Sequence, residues 1–353
     1  MGKNAYLLIS DLHYTDIEKD NRINYQEEIM QVLNKVIELT NKYKSDGYNV
    51  IIIFLGDIFD KSFKSVTKGI FANNIFIQLS SIAKIYSVLG NHEITYAKNN
   101  PFFTLIKSID SDKIKTIKRK IMNFSGITNF INVVDILQDG NIIFHFNHFG
   151  TEINKPLADK TNIGLFHQDI VPKEVRDYSS NLLKDELYGI KVCDLEENNI
   201  LSGYRYCYFG HMHKIYGKWE FSNDYDYDKT TLHYLASLGR PNVTEVNDSF
   251  LERTIPAIKV HDGELFEIED NLFNLKSYID CVKESEVEAR REEYAKVKER
   301  KRIRDYKASS DSPVRNLLER CKTNEERELI ITLLENNIAY YDIIKKTEDI
   351  ING

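Results

Sequence analysis

KIYSVLGNHE, residues 84–93, carries an apolar run directly into a glycine, an amide, an imidazole and a carboxylate. A run of this length, rich in β-branched and aromatic residues, reads as a buried strand, and the glycine lets the backbone turn tightly and hold the next side chains at the strand tip. One such tip means little; its meaning depends on whether other strands deliver compatible groups to the same place.

Four more apolar runs end the same way. AYLLIS (5–10) ends in Asp11-Leu12-His13, VIIIFL (50–55) in Gly56-Asp57, NIGLF (162–166) in His167, and YCYF (206–209) in Gly210-His211-Met212-His213. In D-x-H and H-x-H the two polar residues stand at i and i+2, which extended backbone places on one face, so both members can address one centre. The assembled groups are carboxylates, an amide and imidazoles, without a thiolate. Such oxygen and nitrogen donors suit manganese, iron or zinc, whereas magnesium prefers a set dominated by oxygen. They also exceed what one ion needs, and a second ion about 3.5–4 Å away is how phosphatases and nucleases clamp a reacting phosphate.

Between the first three tips lie amphipathic stretches. YQEEIMQVLNKVIELTNKY (25–43) is expected to be a helix with Ile29, Val32, Leu33, Val36, Leu39 and Tyr43 on one side, and residues 66–83 a second. The β-α-β-α-β opening predicts a parallel sheet. From residue 131 strands follow one another: INVVDIL, NIIFHF, NIGLF, YCYF, TLHYLASL, IPAIKV and ELFEIE, with YSSNLLKDELYG (178–189) read as helical. An α/β fold with a mixed sheet, or with two sheets packed face to face and helices outside, fits this pattern.

At 353 residues, 42% hydrophobic and 29% charged, the chain can bury a large core. Net charge is −7, which argues against a general nucleic-acid coat, since nonspecific affinity comes mainly from neutralised phosphates. Cys193, Cys207, Cys281 and Cys321 form no CxxC pair, so neither a thiolate zinc site nor a disulfide framework is indicated. No run approaches the roughly 20 apolar residues of a membrane span and the start lacks a signal-peptide core, so a cytoplasmic location is expected. Heavy use of Ile, Asn, Lys and Tyr points to an AT-rich bacterial or phage genome.

The set DLH, GDIFD, GNHE, FH and GHMH, in this order over residues 11–213, resembles the calcineurin-like metallophosphoesterase superfamily. The resemblance implies a β-sandwich of two mixed sheets flanked by helices and two divalent metal ions, Mn2+ foremost, with Fe2+, Zn2+ or Mg2+ as alternatives. It implies that Asp11, His13 and His213 hold the first ion, that Asp57 bridges, and that Asn91, His167 and His211 complete the second. His92 falls at the family's catalytic histidine, which stabilises developing charge or protonates the leaving oxygen. Asp60 would orient a ligand or contact substrate through water. Glu93 reads either as a group orienting an imidazole or as a turn carboxylate. His145 and His148 lie outside the motifs and read as structural.

GDIFDKS and LFHQD are similar to signatures of the SbcD-type nuclease subunit of the DNA double-strand-break repair complex, and LHYLASLGRPNVTEV resembles its later strand, with Ala236-Ser237 replacing a Gly-Ser pair. This implies a DNA substrate, a phosphodiester-cleaving exo- and endonuclease activity, an SbcC-type coiled-coil ATPase partner and a homodimer, for which helix 66–83 offers an apolar face. That subfamily carries an α/β cap after its core, whereas here a catalytic domain over 1–272 is expected to give way to a helical region over 273–353. Its basic stretch between Arg290 and Lys307 would be a solvated face or an arm toward the ATPase or DNA. A phosphatase or cyclic-nucleotide phosphodiesterase is the alternative enzyme, and a scaffold lacking activity a third reading, disfavoured because no expected ligand is missing.

Overall fold

The structure, a computed structural model, describes residues 2–14, 25–60, 75–95, 106–110, 130–173, 175, 191–193, 200–213, 215–222, 229–239 and 252–275. The chain begins with β1 (Lys3–Ile9), α1 (Tyr25–Ser45), β2 (Asn49–Phe54), α2 (75–82), β3 (Lys84–Ser87) and α3 (Asn91–Thr95). Then come β4 (Ile106–Asp110), β5 (Ile131–Val134), β6 (Ile136–Asp139), β7 (Ile142–Asn147), β8 (Thr161–Phe166), β9 (Ile170–Pro172) and β10 (Lys191–Cys193). The last strands are β11 (Tyr206–Phe209), β12 (Gly217–Ser222), β13 (Lys229–Tyr234), β14 (Glu252–His261) and β15 (Glu264–Asn274).

Two mixed sheets form the body. The first has seven strands in the order β15-β14-β1-β2-β3-β5-β4, and the second six in the order β12-β13-β11-β8-β7-β6. In the first, β1, β2, β3, β5 and β4 run parallel while β14 and β15 alternate in direction; in the second, β7, β8, β11 and β13 run parallel between antiparallel edges. The expected architecture of two mixed sheets with flanking helices is therefore what the chain adopts.

The continuous apolar runs follow from burial on both faces. Along β1, Ala5, Leu7 and Ile9 pack with Ile29, Val32 and Val36 of α1, whereas Tyr6 and Leu8 pack with Phe144, Phe146 and Leu165 of the second sheet. Fully burying one such side chain contributes about 1.5–3 kcal/mol. Helix α1 buries all six residues assigned to its inner face, carries Glu27 and Glu28 in its first turn and Lys42 and Lys44 in its last, and so complements its dipole. It stops at Gly47, whose φ of 85° accompanies bonds from the Tyr48 N–H to the Tyr43 carbonyl (2.9 Å) and from the Gly47 N–H to the Lys44 carbonyl (3.0 Å), a Schellman end.

INVVDIL does not form one strand. It breaks at Asp135, with β5 in the first sheet and β6 in the second, so this segment carries the chain between layers. β15 continues through Asn274, past the boundary expected at 272. The chain divides into compact units Met1–Val282 and Lys283–Gly353; the expected helical region beyond 275, the helix over 178–189 and residues 66–74 of the second helix lie outside the described residues. Among the described residues no helix is long and apolar enough to cross a membrane.

Candidate metal centre

The carboxyl ends of β1, β2, β3, β8 and β11 emerge on one side of the two sheets, the side on which open α/β sheets bind ligands. Backbone bonds lock these tips together: the His13 N–H donates to the Asp57 carbonyl (2.9 Å), Leu55 to Ile9 (2.8 Å), Val88 to Phe54 (2.8 Å) and Gly210 to Phe166 (3.0 Å). His13, Asp57 and His211 have φ of 47°, 46° and 72°, left-handed values unusual for side-chain-bearing residues. The D-x-H and H-x-H segments are thus turns rather than extended strand. Close packing requires the intervening glycines: a Cβ on Gly90 would lie 2.1 Å from Asp57 Oδ1, and one on Gly56, whose φ is +93°, would lie 2.3 Å from His167 Nδ1.

All seven expected ligands converge. Asp11, His13 and His213 form one group, Asp57, His167 and His211 a second, and His13, Asp57 and His92 a third that shares members with both. H-x-H therefore divides its imidazoles between two groups instead of directing both to one centre, while Met212 is buried in the apolar cluster beneath. His13 Nε2 faces His213 Nε2 at 2.8 Å, and Asp11 Oδ1 lies 3.6 Å from His213 Nε2 and 3.9 Å from His13 Nε2. Asp57 sends Oδ1 to within 3.4 Å of His167 Nε2 and Oδ2 to within 3.6 Å of His13 Nε2. Two ligand atoms about 2.1 Å from one ion in tetrahedral or octahedral arrangement lie roughly 3.0–3.4 Å apart, close to these separations.

Asn91 supplies a sharper test of fit. Its Oδ1 stands 3.0 Å from His167 Nε2; turned over, the amide would donate to Asp57 Oδ2 (2.9 Å), His167 Nε2 (3.0 Å) and His211 Nδ1 (3.1 Å). The amide thus sits among one carboxylate and two imidazoles, and its oxygen can face a proton on His167 Nε2 or a cation in that proton's place. The donor set of carboxylate, amide oxygen and imidazole fits divalent ions.

Electrostatics agree. Burial alone would raise the Asp11 and Asp57 carboxyls, yet His213 and His167 beside Asp11, and His167, His13 and His92 around Asp57, hold both below the usual range. Burial disfavours a charged His167, but Asp57 and Asp11 outweigh it and push the ring up to about 9. A site that draws a proton this strongly draws a metal ion in the proton's place.

The surroundings orient these groups. His167 Nδ1–H donates to the Leu55 carbonyl (2.6 Å), directing Nε2 at Asp57. The His211 N–H donates to both oxygens of Asp11 (3.0 Å each), and Ser237 Oγ donates to the Asp11 carbonyl (2.9 Å). His92 Nδ1–H donates to the Asp60 carbonyl, so Asp60 orients that ring through its backbone, while its Oδ1 stands 3.6 Å from His13 Nδ1 and 3.8 Å from His92 Nδ1, near enough to act by charge but not by a hydrogen bond to His13. Burial holds His92 down to about 4. Glu93 resolves as a turn carboxylate: Oε2 accepts from the Asp57 and Gly90 N–H groups (2.9 Å each) and Oε1 from Ile58 (3.0 Å). His148 is structural, accepting from the Leu89 N–H at 2.9 Å and donating to the Val134 carbonyl at 3.1 Å, and buried His145 bonds Asn162 at 2.8 Å.

Asp169 is a site residue that sequence reasoning missed. It sits two positions after His167, and its Oδ1 accepts from His211 Nε2 at 2.5 Å, setting the ring with Nδ1 toward Asn91. LFHQD contains the carboxylate; only the fold shows that its partner lies on β11's tip. Its neighbour Gln168 donates to the His148 and Thr151 carbonyls and fastens the loop after β7.

A family model described as calcineurin-like phosphoesterase matches residues 5–215. Solved structures similar to the chain include the 5'-nucleotidase precursor from Thermus thermophilus, at 10% identity and TM-score 0.39, covering 83% of this chain and 58% of that one. They also include Thermus thermophilus sulfate thiohydrolase SoxB in complex with glycerol, at 10% identity and TM-score 0.35, covering 82% and 59%. The chain thus spans less than two thirds of the length of these two proteins. A search of the curated proteins finds no sequence match.

Proposed function

The chain belongs to the calcineurin-like phosphoesterase family, and on that premise we propose that it is a dinuclear-metal phosphodiesterase acting on DNA. The observation that carries the reading is the convergence of Asp11, His13 and His213 with Asp57, His167 and His211 in groups linked through His13 and Asp57. Asp11, His13, His213 and Asp57 would hold one ion, and Asp57, Asn91, His167 and His211 the other. Divalent ions there supply Lewis-acid stabilisation of phosphoryl oxygens and acidify water. Manganese is proposed from the resemblance to SbcD-type enzymes; the mix of imidazole and oxygen donors accepts it, as it accepts iron or zinc.

Hydrolysis joins a water oxygen to phosphorus, breaks the P–O ester bond and leaves the departing oxygen in need of a proton. His92 is the chain's group for that charge. Its side chain is 19% exposed, beside Asp57 but outside the Asn91 set. Burial favours the neutral ring, while the negative charge of a bound phosphoester acts in the opposite direction and favours the protonated one. The Asp60 carbonyl keeps the ring aimed throughout.

The DNA substrate and a coiled-coil ATPase partner are supported by the likeness of GDIFD and LFHQD to SbcD-type nucleases. A second reading, a small phosphodiester substrate, is favoured by the net charge of −7, which works against tracking a long phosphate backbone.

The test is cleavage of end-labelled linear and hairpin DNA with manganese, alongside an EDTA control and His92→Ala. The expected result is metal-dependent shortening reduced about 10²–10⁴-fold in the variant, with two manganese ions still bound per chain. Hydrolysis of methyl p-nitrophenyl phosphate without any DNA cleavage, alone or with the ATPase, would transfer the assignment to a small diester. Failure to bind manganese would end it.

A further inference from the structure

A cleft of about 700 Å3 opens beside His211, lined by the loop that follows β7 and by the residues after β8. We infer that this cleft is a nucleoside subsite: it receives the uncharged base and sugar attached to the reacting phosphate, an inference that rests on the phosphodiesterase reading above.

Position is the first argument. The cleft lies outside the carboxyl ends of two parallel strands, where α/β sheets take ligands, and two of its wall residues touch the metal-site imidazoles. Phe149 packs its ring 5.6 Å from that of His211 and 6.4 Å from that of His167, while Asp169 accepts a bond from His211. The link between centre and cleft therefore runs through Phe149 and Asp169, which line the cleft and lie against His211. The volume falls within the roughly 300–1,000 Å3 of small-molecule sites.

Chemistry selects the occupant. Phe149, Ile153 and Pro156 are apolar members of its lining, and an aromatic ring is a stacking partner for any base. The charged members are Glu152 and Asp169 against Lys155 alone. An acidic balance repels a further phosphate, so the cleft does not follow a polyanionic backbone. The wall is also built rather than incidental: the Asn154 N–H donates to Asn147 Oδ1 at 2.7 Å, its Nδ2 donates to the Phe146 carbonyl at 2.9 Å, and Tyr204 Oη–H donates to its carbonyl at 2.5 Å.

The experiment compares two diesters that lose the same p-nitrophenolate: thymidine 5'-(p-nitrophenyl phosphate), which carries a nucleoside, and methyl p-nitrophenyl phosphate, which does not. The ratio of their kcat/KM values is expected to exceed about tenfold in the wild type and to fall toward one in Ile153→Trp, which fills the cleft. Lys155→Trp, at an exposed position, is expected to lower the ratio in the same direction and guards against misfolding of the first variant. A ratio near one in the wild type, or one that both tryptophans leave intact, overturns the subsite. If neither diester is hydrolysed, the phosphodiesterase reading fails separately. Saturation-transfer NMR then decides the subsite alone: thymidine 5'-phosphate must bind about tenfold tighter than deoxyribose 5-phosphate and lose that margin in Ile153→Trp, and equal binding rejects it.

Discussion

His13, Asp57 and His211 hold left-handed backbone, at a cost of about 1–3 kcal/mol each when the residue is not glycine. They keep it because neighbours leave no alternative: the Asp57 carbonyl takes the His13 N–H, the Asp11 carboxylate takes the His211 N–H, and Glu93 takes the Asp57 N–H. Each motif residue could be named from sequence because its type and its place after an apolar run are local facts. The supports were legible only in part: Glu93 could be read as a turn carboxylate from its neighbour Gly90, but its other partners lie 35 and 36 positions away, and Asp169 finds His211 at 42. Asp169 has the more direct chemical consequence. A carboxylate on the remote nitrogen fixes the imidazole's tautomer and raises its basicity toward a cation, and loss of such a partner typically costs 10–100-fold in metal affinity. Asp169→Asn should therefore weaken manganese binding by that factor in calorimetric titration, and Asp169→Glu should recover part of it. Identical isotherms for all three proteins would show that His211 is held by its backbone alone.

At the level of elements, apolar runs announced the strands reliably because burial on both faces leaves no place for a polar residue, as along β1 and β2. Two element-scale expectations failed. INVVDIL reads as one run, yet the chain changes sheets at Asp135, whose carbonyl receives the Phe146 N–H at 2.8 Å; hydropathy cannot register which layer a strand joins. H-x-H reads as extended by its spacing, but short bonds from Met212 N–H to the Gly210 carbonyl (2.9 Å) and from His213 N–H to the His211 carbonyl (3.1 Å) curl it, sending its imidazoles to different groups. The same crowding makes the β3 tip intolerant of bulk. A Cβ on Gly90 meets the Asp57 carboxylate and also the Asp57 backbone nitrogen at 2.5 Å. Neither the carboxylate, tied to the His92 N–H at 2.9 Å, nor the strand end can retreat without disturbing the other tips. Overpacking of this kind costs about 1–3 kcal/mol. Gly90→Ala is expected to lose that much in urea denaturation of the metal-free protein and to lose tight manganese binding as well. A variant that binds metal normally would mean that Asp57 is not the shared ligand.

Across the whole first unit, two sheets are pressed face to face so that their carboxyl edges meet, and the seam between them carries a histidine remote from the metal residues. His233 on β13 is buried at 7% exposure against Tyr208, with Lys218 of β12 and Asp270 of β15 as its charged neighbours, and Lys218 bonds Asp270 across the seam. Burial, reinforced by Lys218 and only partly offset by Asp270, lowers the ring to about 4 from its ordinary 6.5. Between those values the unfolded chain binds a proton that the folded chain refuses, so stability rises with pH across the window. The contribution is fully present above about 6.5 and disappears as pH falls toward about 4, with a slope on the order of 1 kcal/mol per pH unit at most. Site carboxylates and imidazoles titrate as well, and a wild-type curve alone cannot separate them. His233→Gln removes the seam's titration while preserving a polar side chain, so the difference between its denaturation midpoints and those of the wild type isolates it. The variant should lose less stability than the wild type between pH 6.5 and 4.5 while following it in parallel from pH 7 to 8. Curves parallel throughout the acid range would show that the seam opens to water before His233 is protonated, and that the two sheets are less tightly closed at this edge than their packing implies.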